Sequence, residues 1–194
     1  MFTEDDYRLV ECARERAAEA WGNQEPWPLL VEVRAMLAPL VERGMPEALF
    51  ESSCFALPDE FPPGAAFDDW RCALLQRSAE AGYAPAQFEL GKAYDGGHLG
   101  SRAETSAHWF RLAAEQGYAH AQWVHGLNLL AGRGLEQDQE LGYSWIIRAA
   151  EGRFVGAMEF LADAYATGSH GFPRDEAQAR QWRELALGDN TIGY

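Results

Sequence analysis

The five histidines are the first residues to consider for chemistry, because imidazole binds transition metals and transfers protons near neutral pH. They are His98, His108, His120, His125 and His170. His120 and His125 are five residues apart, whereas a helical metal-binding pair is spaced by four residues and has a carboxylate beside it. The spacing therefore predicts neither a metal site nor a bound cofactor.

Acidic side chains are numerous, with 30 Asp and Glu residues against 16 Lys and Arg residues. They are scattered along the chain, so no pair of carboxylates can be singled out as a general acid and base. The sequence also has no G-x-S-x-G motif, no phosphate-binding P-loop and no Rossmann glycine set. These observations predict a protein that is not an enzyme, with a hydrolase as the remote alternative.

A repeat of 35 to 36 residues organises the elements that would position any site. Ala86, Ala121 and Ala157 recur at intervals of 35 and 36 residues. The same register brings together the tryptophans Trp109, Trp145 and Trp182. A fixed period in this range is typical of stacked supersecondary units rather than of one closed core. Each repeat is expected to form two helices joined and followed by glycine-containing turns.

The repeated spacing is A-x-x-x-L-G-x-x-Y-x-x-G, followed by A-x-W-x-x-x-A-A-E-x-G. It resembles the SEL-one-like repeat, of the bacterial type, a relative of the tetratricopeptide repeat. The resemblance is strong over residues 82–152, good over 154–187, degenerate over 44–81 and absent before that. It implies an all-α fold, a right-handed α-solenoid of stacked helix-turn-helix repeats. His125 replaces the leucine usual in the family, so we expect a buried, hydrogen-bonded histidine there.

The domain organisation follows from the register of the repeat. The predicted segments are an N-terminal helical cap at 1–43, repeats at 44–81, 82–117, 118–153 and 154–187, and a tail at 188–194. Thr3 and Asp6 have the spacing of a capping box at the start of the first helix. Pro39 is expected to kink or end the second helix.

An insertion separates the two helices of the degenerate first repeat. Residues 57–67 are rich in proline and are predicted to form a loop. The helix that follows is expected to begin at a cap formed by Asp68 or Asp69.

The first helix of each repeat is the candidate binding surface, because in related helical-hairpin solenoids it lines the concave side. Its outward positions combine apolar side chains with carboxylates, a composition typical of interaction sites. The predicted partner-binding residues are Phe50, Phe88, Trp123, Leu127, Leu130, Glu89, Asp95, Glu159 and Asp163. The alternative is that the aromatic rings pack between repeats as part of the core.

The net charge of -14 excludes most anionic partners. Nucleic acids and anionic membranes both require clustered Lys and Arg, whereas a basic protein would be attracted. Cys12, Cys54 and Cys72 are far apart and form no C-x-x-C pair, which favours a reducing compartment. The acidic N-terminus is unlike a signal peptide, and no apolar run approaches the ~20 residues of a membrane span. A cytoplasmic protein, monomeric or weakly dimeric, is expected.

The function predicted from these features is a non-catalytic protein–protein interaction module. The more specific hypothesis is an immunity protein that binds and occludes a secreted bacterial toxin, since some bacterial members of the resembled family act as antidotes to effectors. A toxin that acts on nucleic acid needs a basic cleft, which an acidic inhibitor could occupy. The alternative is a generic adaptor, scaffold or regulatory protein whose charge serves only solubility.

Overall fold

The computed structural model of the chain describes residues 1–57, 65–97, 99–100 and 102–189. All regular secondary structure in these ranges is α-helical, which confirms the predicted all-α repeat fold. The helices are α1 (Glu4–Trp21), α2 (Trp27–Glu42), α3 (Pro46–Ser53), α4 (Ala65–Glu80), α5 (Ala84–Asp95), α6 (Ala103–Glu115), α7 (Ala119–Ala131), α8 (Gln139–Glu151), α9 (Val155–Thr167) and α10 (Glu176–Asp189). Residues 58–64 of the predicted loop, His98 and residues 190–194 of the predicted tail lie outside the described residues.

The chain forms two compact units, Met1–Leu90 and Gly91–Tyr194, with the boundary inside α5. The first unit has a core built from one face of α1, one face of α2 and the start of α3. Its largest fully buried side chains include Leu30, Leu37, Leu40 and Met45. The predicted cap at 1–43 corresponds to α1 and α2, and its capping role stays a prediction.

The predicted capping box at the start of α1 is confirmed. The Thr3 hydroxyl accepts a hydrogen bond from the Asp6 amide at 3.3 Å, and the Asp6 carboxylate accepts one from the Thr3 amide at 2.8 Å. Arg43 then donates two hydrogen bonds to the same carboxylate, at 2.6 and 2.8 Å. The end of α2 is thereby fixed to the beginning of α1.

The structure corrects two sequence expectations about helix ends. Of the two alternatives for Pro39, ending the helix is wrong, because α2 continues to Glu42, while a kink stays a prediction. A proline removes a single backbone donor, and the buried face on both sides of Pro39, at Leu37 and Leu40, holds the helix together. Asp68 and Asp69 do not cap α4, because that helix already begins at Ala65.

The second unit stacks α7, α8, α9 and α10 in sequence order, each helix packing on the next. α7 and α9 both end at a glycine in the left-handed region, Gly132 at φ 67° and Gly168 at φ 72°. Left-handed φ is cheap for glycine and strained for other residues. α8 and α10 each begin after an aspartate, Asp138 and Asp175, whose carboxylate accepts hydrogen bonds from the first turn.

Candidate functional site

Three of the predicted binding residues lie in the first unit, and only part of this set is accessible. Phe50 is half-buried, with its ring edge-on to that of Tyr83 at 5.4 Å between centroids. Phe88 is buried, with 8% of its surface exposed, and Glu89 is half-buried. The expectation that Phe88 belongs to an exposed stripe is therefore corrected, because burial of this large ring removes its apolar area from water.

The apolar residues predicted in the second unit are in part core residues. Trp123 is half-buried, with ring centroids 5.8 Å from both Phe154 and Phe160. Leu130 packs into the same apolar cluster, whereas Leu127, one turn after Trp123, is 37% exposed. The accessible apolar surface of α7 is thus centred on Leu127.

The carboxylates predicted in the second unit are all exposed. Glu159 and Asp163 are one turn apart on α9, so they share one face of the helix. Asp163 is 3.8 Å from Arg183, and Asp95 is 4.0 Å from Arg133. Exposed contacts of this length contribute little to stability, so these carboxylates stay available to a partner. Their role in binding remains a prediction.

His125 is buried, as predicted, with 4% of its surface exposed. Its ring lies edge-on to that of Trp145 at 5.4 Å, but its Nδ1 has no hydrogen-bond partner among the described residues. Burial lowers the pKa of the imidazole below its usual range, and the charge of Arg111 adds to this effect. The side chain is therefore a neutral core residue, and the predicted hydrogen bond is not formed at Nδ1.

Within the described ranges, no three His, Cys, Asp or Glu side chains converge as potential metal ligands. None of the described helices combines the length and the apolar character that crossing a bilayer requires.

A pocket that the sequence analysis missed lies between α8 and the loop that joins α9 to α10. Its volume is about 640 Å³, and we call it the α8 pocket. The residues that define it are Glu140, Tyr143, Ile147, His170 and Phe172. The Tyr143 hydroxyl is 3.2 Å from Nδ1 of His170, and the Tyr143 and Phe172 rings meet edge-on at 5.7 Å.

The α8 pocket exists because the residues around it differ from those at the corresponding place one repeat earlier, between α6 and the loop after α7. A shift of 36 residues, which relates Gly132 to Gly168, places Tyr143 where Ala107 stands and His170 where Gly134 stands. In the earlier repeat, Gly134 lies so close to Ala103 that any side chain would collide with the Ala103 carbonyl. His170 carries a ring at the corresponding position, at φ 57°. These two substitutions, readable in the aligned repeats, are the signal that could have revealed the pocket.

The comparisons with known proteins agree with this architecture. The family model of the Sel1 repeat matches residues 84–118, 119–153 and 155–187. A solved Sel1 repeat protein from Oxalobacter formigenes superposes with a TM-score of 0.76 at 21% identity, covering 95% of this chain and 73% of the other. A second structure, of c5321, a protective antigen of uropathogenic Escherichia coli with an SLR fold, gives 0.68 at 26% identity over 96% of this chain and 41% of that one.

One curated relative is a fungal regulator. The chitin synthase regulator SKT5 of Malassezia restricta is 32% identical over 129 residues. The match covers 63% of this chain but 9% of the relative, so the chain spans less than a tenth of that protein's length.

Proposed function

Since this chain belongs to the family of Sel1-repeat proteins, a helical repeat module for protein–protein interaction, we propose that its partner is a basic protein bound through exposed carboxylates of the second unit. The observation that carries the proposal is the pair Glu159 and Asp163, which we call the α9 carboxylates. They are exposed on one face of α9, in a chain whose net charge is -14. Opposite charge across an interface accelerates encounter and selects the partner.

Apolar residues in the same unit as the α9 carboxylates support a binding role. Leu127 on α7 offers accessible apolar surface in the same unit, and the half-buried Trp123 beside it is held in place by Phe154 and Phe160. An apolar contact rimmed by charge is the usual composition of an interface. Among the described residues, the Asp163 carboxylate has only the long contact to Arg183, so a partner's cation can compete for it at little cost.

The proposal is tested by capturing the partner from cells of the source organism with purified tagged protein. Wild type is compared with the variant Glu159→Lys/Asp163→Lys and with the control Glu15→Lys/Glu25→Lys. Each pair changes the net charge from -14 to -10, since every substitution adds two positive charges. Both control residues are exposed in the first unit. We call Glu159→Lys/Asp163→Lys the α9 variant. The proposal is supported if wild type and the control retain a basic partner that the α9 variant loses, and if the same difference is seen with purified components. Equal retention by all three proteins contradicts it.

A narrower form of the proposal makes the partner a secreted bacterial toxin, with this chain as its immunity protein. The support is electrostatic: 30 acidic residues against 16 basic ones suit the occlusion of a basic, nuclease-type active cleft. Co-expression of the chain with the captured partner should then protect cells from it, and the α9 variant should protect less. A partner that is harmless when expressed alone would eliminate this form.

A regulatory adaptor is the second candidate function. It is favoured by the similarity of about two thirds of this chain to part of the chitin synthase regulator of Malassezia restricta. An adaptor would bind its partner without blocking the partner's activity. An activity assay on the captured partner therefore separates the two functions: an immunity protein inhibits at equimolar ratio, whereas an adaptor leaves the activity intact or raises it.

A further inference from the structure

We propose that the α8 pocket binds the side chain of an arginine presented by a protein partner. This inference rests on the proposed function in taking the ligand to be part of a protein, and it adds a specific site for one of the partner's cations. The pocket combines a carboxylate, Glu140, with the aromatic rings of Tyr143 and Phe172. The carboxylate has a counterpart one repeat earlier, Glu104, but the two rings do not, since Ala107 and Glu136 occupy their positions. Gly134 there lies directly against the Ala103 carbonyl, where a side chain would collide.

The electrostatics of the pocket favour a cation. Glu140 is exposed in the first turn of α8, and Asp138 caps the same helix. Two carboxylates outweigh the roughly half positive charge that the N-terminus of a helix carries. The nearby Arg174 is 3.3 Å from Glu176, so a carboxylate of its own offsets its charge. A positively charged group entering from solvent therefore meets net negative charge at the mouth of the pocket.

The aromatic lining selects the kind of cation. The centroid of the Tyr143 ring lies 5.9 Å from that of His170 and 5.7 Å from that of Phe172. Tyrosine and phenylalanine faces attract cations, and the effect grows as water is removed. A guanidinium group is planar and weakly hydrated, so it stacks on such faces more readily than an ammonium group does. Its three-carbon stem matches the apolar side of the pocket at Ile147.

The rings are fixed in place before any ligand arrives. Tyr143 is half-buried against Phe160 at 6.4 Å, and His170 packs on the same Phe160 at 5.1 Å. The hydrogen-bonding distance of 3.2 Å between the Tyr143 hydroxyl and His170 Nδ1 ties α8 to the loop after α9. A preorganised pocket loses little entropy on binding. The left-handed backbone of His170, at φ 57°, is a strained conformation that this arrangement maintains.

The test uses synthetic peptides and needs no knowledge of the partner. The full chain, labelled with ¹⁵N, is titrated with acetyl-Leu-Arg-Leu-amide and with the same peptide carrying citrulline, a neutral isostere of arginine. Millimolar affinity is the range expected for one side chain. The arginine peptide should shift the amide signals of Tyr143, Ile147 and His170 and bind about fivefold more tightly than the citrulline peptide, because it alone makes charge-assisted contacts.

Two variants locate the binding. Glu140→Gln should reduce affinity for the arginine peptide about fivefold. The matched control is Glu104→Gln, at the position 36 residues earlier in the first turn of α6, which should leave binding unchanged. Tyr143→Ala, which restores the residue of the preceding repeat, should abolish the shifts while the other amide signals stay dispersed.

Three outcomes would overturn the inference. Equal binding of both peptides would make the pocket a site for apolar side chains. An equal effect of Glu140→Gln and Glu104→Gln would place the binding elsewhere. Shifts at the pocket amides that depend on protein concentration without peptide would assign the pocket to a second copy of this chain. None of these results bears on the α9 carboxylates, so the pocket and the proposed function can fail separately.

Discussion

Gly126 on α7 lies so close to Gly142 on α8 that a Cβ on Gly126 would come within 2.8 Å of the Gly142 carbonyl oxygen. The same Cβ would lie 2.9 Å from Cγ1 of Ile146. The Gly142 carbonyl belongs to the backbone of α8, so it cannot move away from Gly126 unless the whole helix is displaced. The two helices of this repeat therefore depend on the absence of a side chain at Gly126.

Gly126→Ala should destabilise the protein even though alanine favours helix. The gain in helix propensity is about 1 kcal/mol, whereas overpacking costs about 1–3 kcal/mol. Here the added methyl group would collide with a backbone carbonyl of α8, which cannot change rotamer to relieve the clash. We expect a lower Tm and a lower unfolding midpoint in urea. The control is Gly188→Ala in α10, where a Cβ would meet nothing within 4 Å; this variant should be neutral or more stable. A Gly126→Ala protein as stable as wild type would show that α7 and α8 can separate freely.

His125→Leu tests the buried neutral imidazole. The folded state holds the pKa of His125 below its usual 6.5, mainly through burial. Below about pH 6.5 the unfolded chain therefore binds a proton that the folded chain does not, and wild type loses stability as the pH falls. Leucine cannot titrate and leaves no polar atom unpaired, so the variant should be as stable as wild type or more so at pH 7. Its advantage in Tm should widen between pH 7 and pH 5. An advantage that is constant with pH would contradict the buried neutral state.

Arg43→Gln tests the connection between α2 and the start of α1. Hydrogen bonds from Arg43 hold the pKa of Asp6 well below its usual 3.8. The interaction therefore stabilises the folded state at neutral pH. Below about pH 4 the unfolded chain takes up a proton at Asp6 that the folded chain does not, so this stabilisation declines as the pH falls. The variant should have a lower Tm than wild type at pH 7, and the difference should shrink toward pH 3. Arg8→Gln, which removes only exposed contacts to Glu4 and Asp5, is the control and should change Tm little at either pH.

Phe88→Ala and Trp123→Ala distinguish core residues from interface anchors. Phe88 is buried and Trp123 packs on two aromatic rings, so we expect both substitutions to reduce the free energy of unfolding, by about 3 kcal/mol or more for Phe88. Leu127→Ala, at an exposed position of the same helix as Trp123, should change it by less than about 1 kcal/mol. Denaturant unfolding measures all three. Unchanged stability of Phe88→Ala would restore this residue to the predicted binding set.

The repeat architecture could be predicted because its determinants are local and periodic. Small residues recur where two helices approach, as at Gly91, where a Cβ would lie 2.8 Å from the Phe110 ring, and at Gly126. The end of α2 was less predictable, since the packing of Leu37 and Leu40 outweighs the local effect of Pro39. Local sequence signals predict that a residue lies in a helix more reliably than they predict whether tertiary contacts will override a helix-breaking residue.

The binding surface was harder to predict than the fold. An outward position on a first helix can be buried, as Phe88 is, and the sequence does not show which rings are covered.

The α8 pocket was not predictable because it depends on the conformation of the loop between α9 and α10. The aspartates that cap α8 and α10, Asp138 and Asp175, are 37 residues apart, while the glycines that end α7 and α9 are 36 apart. This loop is therefore one residue longer than its predecessor, and where a longer loop lies depends on tertiary packing.

The association rate of the purified partner, followed by stopped-flow fluorescence, tests the central claim most directly. Electrostatic attraction between an acidic module and a basic partner raises the rate at low salt and is screened at high salt. Raising the salt concentration from about 20 mM to about 500 mM should slow association by about tenfold or more. At low salt, Glu159→Lys/Asp163→Lys should already associate at nearly the slow rate, and Glu15→Lys/Glu25→Lys should stay much closer to wild type. A rate that changes less than about twofold with salt and is the same for all three proteins would contradict the claim that exposed carboxylates of the second unit recruit a basic partner.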